Sequence, residues 1–122
     1  MRLFNKLGQL LLAAVVLTGL AGCATNSIDV TSGTVVVDVR TSDEYNAGHL
    51  EGAINVDVSS ADFDSRIAEL PLDGQYVVYC ASGNRSAAAV AQMAELGFEN
   101  LVDAGGISSA SSSTGLDVVT GP

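Results

Sequence analysis

Tryptophan is absent, and three Phe with three Tyr make up all the aromatic content of the 122 residues. With so few large rings, Ala, Val, Leu and Gly must do most of the packing, in a chain long enough for one compact domain. Positive charge is also scarce. Five Lys and Arg stand against fourteen Asp and Glu, a formal charge of −9. Two of the five, Arg2 and Lys6, lie at the extreme N-terminus; without that segment three arginines face the same fourteen acids, a net −11. So acidic a surface argues against nucleic acid as a partner and against electrostatic docking on anionic lipid headgroups. Any anionic substrate has to be attracted locally, against the field of the whole molecule. The apolar run from Leu10 to Leu17 is too short to span a bilayer comfortably. Cysteine is limited to Cys23 and Cys80.

The N-terminal segment has the order of a targeting signal: a basic start, the apolar run, then small residues ahead of Cys23. A core helix is the plainer alternative. Leu20-Ala21-Gly22-Cys23 resembles the lipobox of bacterial lipoproteins. The resemblance implies cleavage before Cys23 and a diacylglyceryl group on its thiol, tethering an exported domain to a bacterial membrane. The expected organisation is a signal peptide over residues 1–22, a lipidated tether over 23–27 and one domain over 28–122. Two cysteines in an exported protein would ordinarily form a disulfide. Lipidation of Cys23 instead leaves Cys80 as an unpaired thiol, a liability in an oxidising compartment unless it is used.

In the mature chain, the β-branched run Val35-Val36-Val37-Asp38-Val39 predicts a buried parallel strand. Thr41-Ser42-Asp43-Glu44 fits a capping box opening a short helix that Gly48 would close. Ala53 to Val56 and Val77 to Tyr79 read as further strands. Ser60 is expected to start a helix with Phe63, Ile67 and Leu70 on one face, stopped by Pro71. A later helix is expected to open at Ser86, turn Ala89, Val90, Met93 and Leu96 inward and close at Gly97. Leu101-Val102 makes another strand, and the Gly- and Ser-rich stretch after Gly105 gives room for one short helix. This alternation predicts an α/β fold with a central parallel sheet covered by helices on both faces. Ligands of such sheets bind at the carboxyl ends of the strands, where Asp38 and Cys80 both fall.

The sequence Cys80-Ala81-Ser82-Gly83-Asn84-Arg85-Ser86 is placed between a strand and a helix. A thiol at the start of such a loop faces several backbone N–H groups and the positive end of the next helix, both of which favour the thiolate. Arg85 would add a full positive charge nearby. Gly83 permits tight curvature, and Ser86 could cap the helix. The loop is suited to a thiolate, a persulfide or a bound oxyanion.

The loop resembles the active-site loop of rhodanese-type sulfurtransferases, with cysteine first and arginine five positions on. Two further blocks carry the same resemblance: Asp38-Val39-Arg40 through Glu44-Tyr45 to Gly48-His49-Leu50-Glu51-Gly52-Ala53-Ile54-Asn55-Val56, and Asp103-Ala104-Gly105-Gly106. The resemblance implies a rhodanese-like fold and transfer of a sulfane sulfur from thiosulfate or a persulfide to a thiol or other thiophilic acceptor. It assigns Cys80 as the nucleophile and Arg85 as its companion, Ala81, Ser82, Gly83, Asn84 and Ser86 as the binding loop, and Asp38 and Arg40 as supporting residues. It calls for no metal or organic cofactor. The family's tryptophan shortly after Gly-Gly would fall near Ala110 and is missing.

Other readings stand beside these. Cys80 could be a buried structural thiol, and Asp38 with Arg40 a structural ion pair. His49 suits a hydrogen-bonding role in its turn better than that of a general base. At the level of function, a membrane-anchored persulfide carrier or non-catalytic interaction module competes with the enzyme. An oxyanion hydrolase of the phosphatase or arsenate reductase kind would need one more residue between Cys and Arg.

Overall fold

The computed structural model describes residues 27–122. The expected signal peptide and Cys23 lie outside the described residues. Along the chain the elements are β1 (Thr34–Asp38), α1 (Ser42–Ala47), β2 (His49–Leu50), β3 (Ile54–Asn55), α2 (Phe63–Ile67), β4 (Gln75–Cys80), α3 (Asn84–Glu95), β5 (Asn100–Gly106), α4 (Ile107–Thr114) and β6 (Val118–Val119). Four strands form a parallel sheet in the order β3-β1-β4-β5. This is the α/β architecture that the strand and helix alternation predicts.

The two central strands decide where the core lies. Side chains alternate across a strand, so Val37, Val39, Val78 and Cys80 project to one face of the sheet and Val36, Val77 and Tyr79 to the other. The first face is covered by Phe63 and Ile67 of α2, Ala89 and Met93 of α3, and Phe98. The second is covered by Ala110 of α4, Leu50 and Ala53, with Tyr45 of α1 and Ile107 packed alongside. Helices thus lie on both faces. Each fully buried Val or Ile contributes about 1.5–3 kcal/mol.

Three local expectations need correction. The helix predicted from Ser60 begins only at Phe63, because Ser60 sits in a turn: its carbonyl accepts from the Phe63 amide and its hydroxyl bonds the Asp62 carboxylate. Phe63 and Ile67 still face inward. The helix expected to open at Ser86 starts two residues earlier, at Asn84. Leu96, expected inside, is exposed. The chain turns at Gly97 in the left-handed region (φ 101°), and Phe98 folds back into the core edge-on to Tyr76 in its place.

The C-terminal stretch holds more order than its composition suggests. In α4 the serine and threonine hydroxyls bond back to carbonyls one turn earlier: Ser112 to Ser108, and Ser113 and Thr114 to Ala110. Such residues are weak helix formers, so burial of Ala110 is what holds the segment helical. Beyond it, β6 pairs antiparallel with β2, joining Val119 to His49 and Val118 to Leu50.

Candidate active site

Cys80 is the last residue of β4 and Asp38 the last of β1, so both stand at the carboxyl edge of the sheet as expected. Four residues later the chain enters α3, twelve residues long. Between strand and helix the loop curls back over the thiol. Gly83 makes that turn possible: it sits at φ 102°, a left-handed conformation that side chains rarely adopt, and its amide donates to Cys80 Sγ at 2.9 Å. The loop rests on β5. A Cβ placed on Gly106 would come within 2.5 Å of the Ala81 carbonyl oxygen, so only glycine admits the loop this close to the strand.

Cys80 is fully buried. Burial alone would push its thiol up. The Ser86 hydroxyl, 3.4 Å from Sγ, and the amides of Ser86, Gly83 and Ser82 outweigh that effect and hold the thiol below its ordinary range. Ser86 therefore does different work from the helix cap expected of it. It lies inside the first turn of α3, donating to the Gly83 carbonyl at 3.0 Å in the thiol form. On deprotonation the same hydroxyl can turn its proton to sulfur. The N-cap position is Gly83, with no side-chain hydrogen bond there and no acidic residue in the first turn. That leaves the end of the helix favourable to an anion. Ala81, Ser82 and Asn84 carry exposed side chains and contribute to the loop chiefly as backbone.

Arg85 stands at the rim; among the described residues it makes no hydrogen bond to sulfur, and it acts on Cys80 through its charge alone. Both terminal nitrogens of the guanidinium grip Glu44, at 2.8 and 2.9 Å. The groups that hydrogen-bond Sγ are a hydroxyl and backbone amides, with the Arg85 charge acting on Cys80 from farther off. Glu44 is fixed in turn by the predicted capping box, with Thr41 and Glu44 each bonding the other's backbone N–H. The Arg85 hydrogen bonds are the main cause holding the Glu44 carboxyl down at about 2; partial burial opposes them and the Thr41 bonds assist.

Asp38 and Arg40 form a separate and deeper unit. Arg40 Nη2 lies 2.7 Å from Asp38 Oδ2, with the carboxylate completely buried. Tyr79 donates its hydroxyl to the same oxygen at 2.7 Å and accepts from the Leu50 amide. Burial works against the Arg40 charge, yet bonding to Asp38 more than offsets it and raises the guanidinium's pKa. Asn55 bonds the carbonyls of Asp38 and Arg40, locking the end of β1. No hydrogen bond joins Asp38 or Arg40 to Cys80 or Arg85 among the described residues. The two residues form a buried ion pair. His49 is tied into its turn: its Nδ1 donates to the Tyr45 carbonyl at 2.8 Å and its ring stacks on Tyr45 with centroids 3.7 Å apart.

Three partnerships escaped the sequence reading. Glu44 was legible as a capping residue and, with Asn55, as part of the motif carrying the family resemblance, and Tyr79 as a strand residue; none was read as a hydrogen-bond partner within the site. The one available signal was that a lone Arg at a helix start, placed against the dipole, needs an acidic partner.

A family model described as a rhodanese-like domain matches residues 24–112. Among curated proteins, the thiosulfate sulfurtransferase GlpE of Pseudomonas fluorescens is 43% identical over 70 residues, covering 57% of this chain and 62% of that protein. The chain therefore aligns with less than two thirds of that relative. Among solved structures, a rhodanese-related protein from Thermoplasma volcanium is 37% identical with a TM-score of 0.61, over 77% of this chain and 97% of that one. A structure described as rhodanese with anions, from E. coli, is 26% identical with a TM-score of 0.60, over 72% of this chain and 99% of that one.

Proposed function

The chain belongs to the rhodanese-like domain family, and from that premise we propose that it is a sulfurtransferase working through a persulfide on Cys80. The observation that carries this reading is the environment of Sγ: a buried sulfur under the Gly83 amide and the Ser86 hydroxyl, with its pKa lowered. The likeness to a thiosulfate sulfurtransferase supports the reaction class.

In the first half-reaction the Cys80 thiolate attacks the outer sulfur of a donor. A bond forms between Sγ and that sulfur, and the donor's sulfur–sulfur bond breaks. The electron pair leaves with sulfite when thiosulfate is the donor, or with a thiolate when a persulfide is. No external oxidant or reductant is needed. The new terminal sulfur carries the negative charge outward toward the amides of the loop and the first turn of α3. In the second half-reaction an acceptor thiolate, or cyanide, takes that sulfur and returns the Cys80 thiolate, giving ping-pong kinetics. Four residues between Cys80 and Arg85 favour this chemistry over hydrolysis of a tetrahedral oxyanion. The lipid anchor on Cys23 belongs to the same proposal, and the intact mass of protein purified from membranes tests it.

The deciding experiment incubates the reduced full chain with thiosulfate and follows its intact mass, with Cys80→Ala as control. The expected result is the gain of one sulfur atom, lost again on adding cyanide with formation of thiocyanate, and no gain in the variant. Failure of both thiosulfate and a persulfide to load Cys80 would overturn the proposal in favour of an interaction module.

A further inference from the structure

The charges around the loop do not suit the donor that the nearest reading of the chemistry suggests. Thiosulfate is a dianion, and every cationic side chain of the described residues is an arginine. Arg40 is buried against Asp38. Arg66 donates to the Asn55 carbonyl at 3.1 Å. Arg85, beside the loop, has both terminal nitrogens on Glu44, and Cys80 and, less strongly, Asp57 also act on its charge. At the rim the Arg85 guanidinium is therefore matched by the Glu44 carboxylate. The fork-to-fork geometry holds Arg85 in place more firmly than a single contact would.

We propose that Glu44 is a specificity-determining residue: by holding and neutralising Arg85 at the rim, it biases the loop toward thiol persulfides and against the dianion thiosulfate. The inference rests on the sulfurtransferase reading and names the donor class for the same site. A persulfide brings at most one negative charge on its reacting sulfurs, and the amides over Cys80 can receive that. Thiosulfate brings two charges, and the second meets the Glu44 carboxylate, which already offsets the Arg85 charge beside the loop. Transfer from a persulfide forms the Sγ–sulfur bond and releases the donor's thiolate, so charge and electrons balance without a co-reactant.

Glu44→Gln is a clean probe, because glutamine keeps the side-chain length and also serves at this position of a capping box. Wild type, Glu44→Gln and Glu44→Asp are compared as full chains, with thiosulfate and with cysteine persulfide. The readout is the second-order rate of sulfur addition to Cys80, at low and high salt. Glu44→Gln should raise the thiosulfate rate by about tenfold at low salt, with the gain shrinking as salt screens the rim. The persulfide rate should change by less than about threefold, since fewer charges are involved. Glu44→Asp, which retains the charge, should keep the wild-type preference.

A parallel measurement does not depend on sulfur transfer: alkylation of Cys80 by anionic iodoacetate against neutral iodoacetamide. The ratio of the two rates should rise in Glu44→Gln. Equal changes with both donors and an unchanged alkylation ratio would overturn the role of Glu44. A raised alkylation ratio with no sulfur loading from either donor would instead bring down the sulfurtransferase reading, and the donor assignment with it.

Discussion

Two arginine–carboxylate pairs, Asp38–Arg40 and Glu44–Arg85, lie toward the carboxyl edge of the sheet, one closed over two residues and the other across 41, and they do different work. The first is sealed inside: its carboxylate is fully buried, shared with the Tyr79 hydroxyl, and its guanidinium reaches the Gly48 carbonyl. The second lies at the rim, with both side chains 35% exposed. Burial makes the difference. An interior pair contributes little net stability when formed, yet removing one partner strands the other without water. A rim pair is screened and contributes little either way, which leaves it free to set the charge that a substrate meets. The inner pair ties β1 to the turn that follows it; the outer one shapes the approach to Cys80.

The largest test breaks the inner pair. Asp38→Ala leaves the buried Arg40 guanidinium and the Tyr79 hydroxyl without their acceptor, and should destabilise the fold by about 3–5 kcal/mol in denaturant unfolding. A loss comparable to that of a surface substitution would show that water reaches this site.

Ser86→Ala probes the active loop directly, without touching either pair. The hydroxyl is the foremost group lowering the Cys80 thiol, so its loss should move the acid limb of the alkylation-rate profile to higher pH. The sign follows from the thiolate being the reactive form: a raised pKa leaves less thiolate at any given pH below it. An unmoved limb would assign the thiolate's stability to the backbone amides alone.

The smallest effect is on stability at the rim. Glu44→Gln should cost less than about 1 kcal/mol at neutral pH, and less again in high salt. Because the folded-state pKa of Glu44 is depressed to about 2 from an ordinary 4.5, its contribution is present above the ordinary value and lost as pH falls toward 2. The stability difference between wild type and variant should therefore close over that window. The carboxylate stays ionised throughout the neutral range, so the pH dependence of the chemistry there belongs to Cys80 and not to the rim pair.

Several parts of this site were open to reading along the chain because they are local. The β-branched run makes β1, Thr41 and Glu44 close their capping box over three residues, and Cys80 with Gly83 falls where a strand passes into a helix. Other parts were hidden because their partners are remote. Arg85 meets Glu44 across 41 residues, and Tyr79 meets Asp38 across the same separation. Leu96 was expected in the core, and it is the turn at Gly97 that leaves it exposed and puts Phe98 inside instead. The serine-rich segment has no helical propensity to announce α4, whose helix depends on a buried alanine.

By itself the sequence determined the layered α/β plan, the position of Cys80 at a strand-to-helix turn and the closeness of backbone that glycine alone permits, since periodicity, spacing and steric size act between near neighbours. The tertiary structure decided where each charge goes. It tied Arg85 to Glu44, put Ser86 beside the thiol, and made Asp38 and Arg40 an internal brace. Coulombic and hydrogen-bonding partners are chosen by distance in space and by exclusion of water, and both are fixed only once the strands have paired and the helices have closed over them.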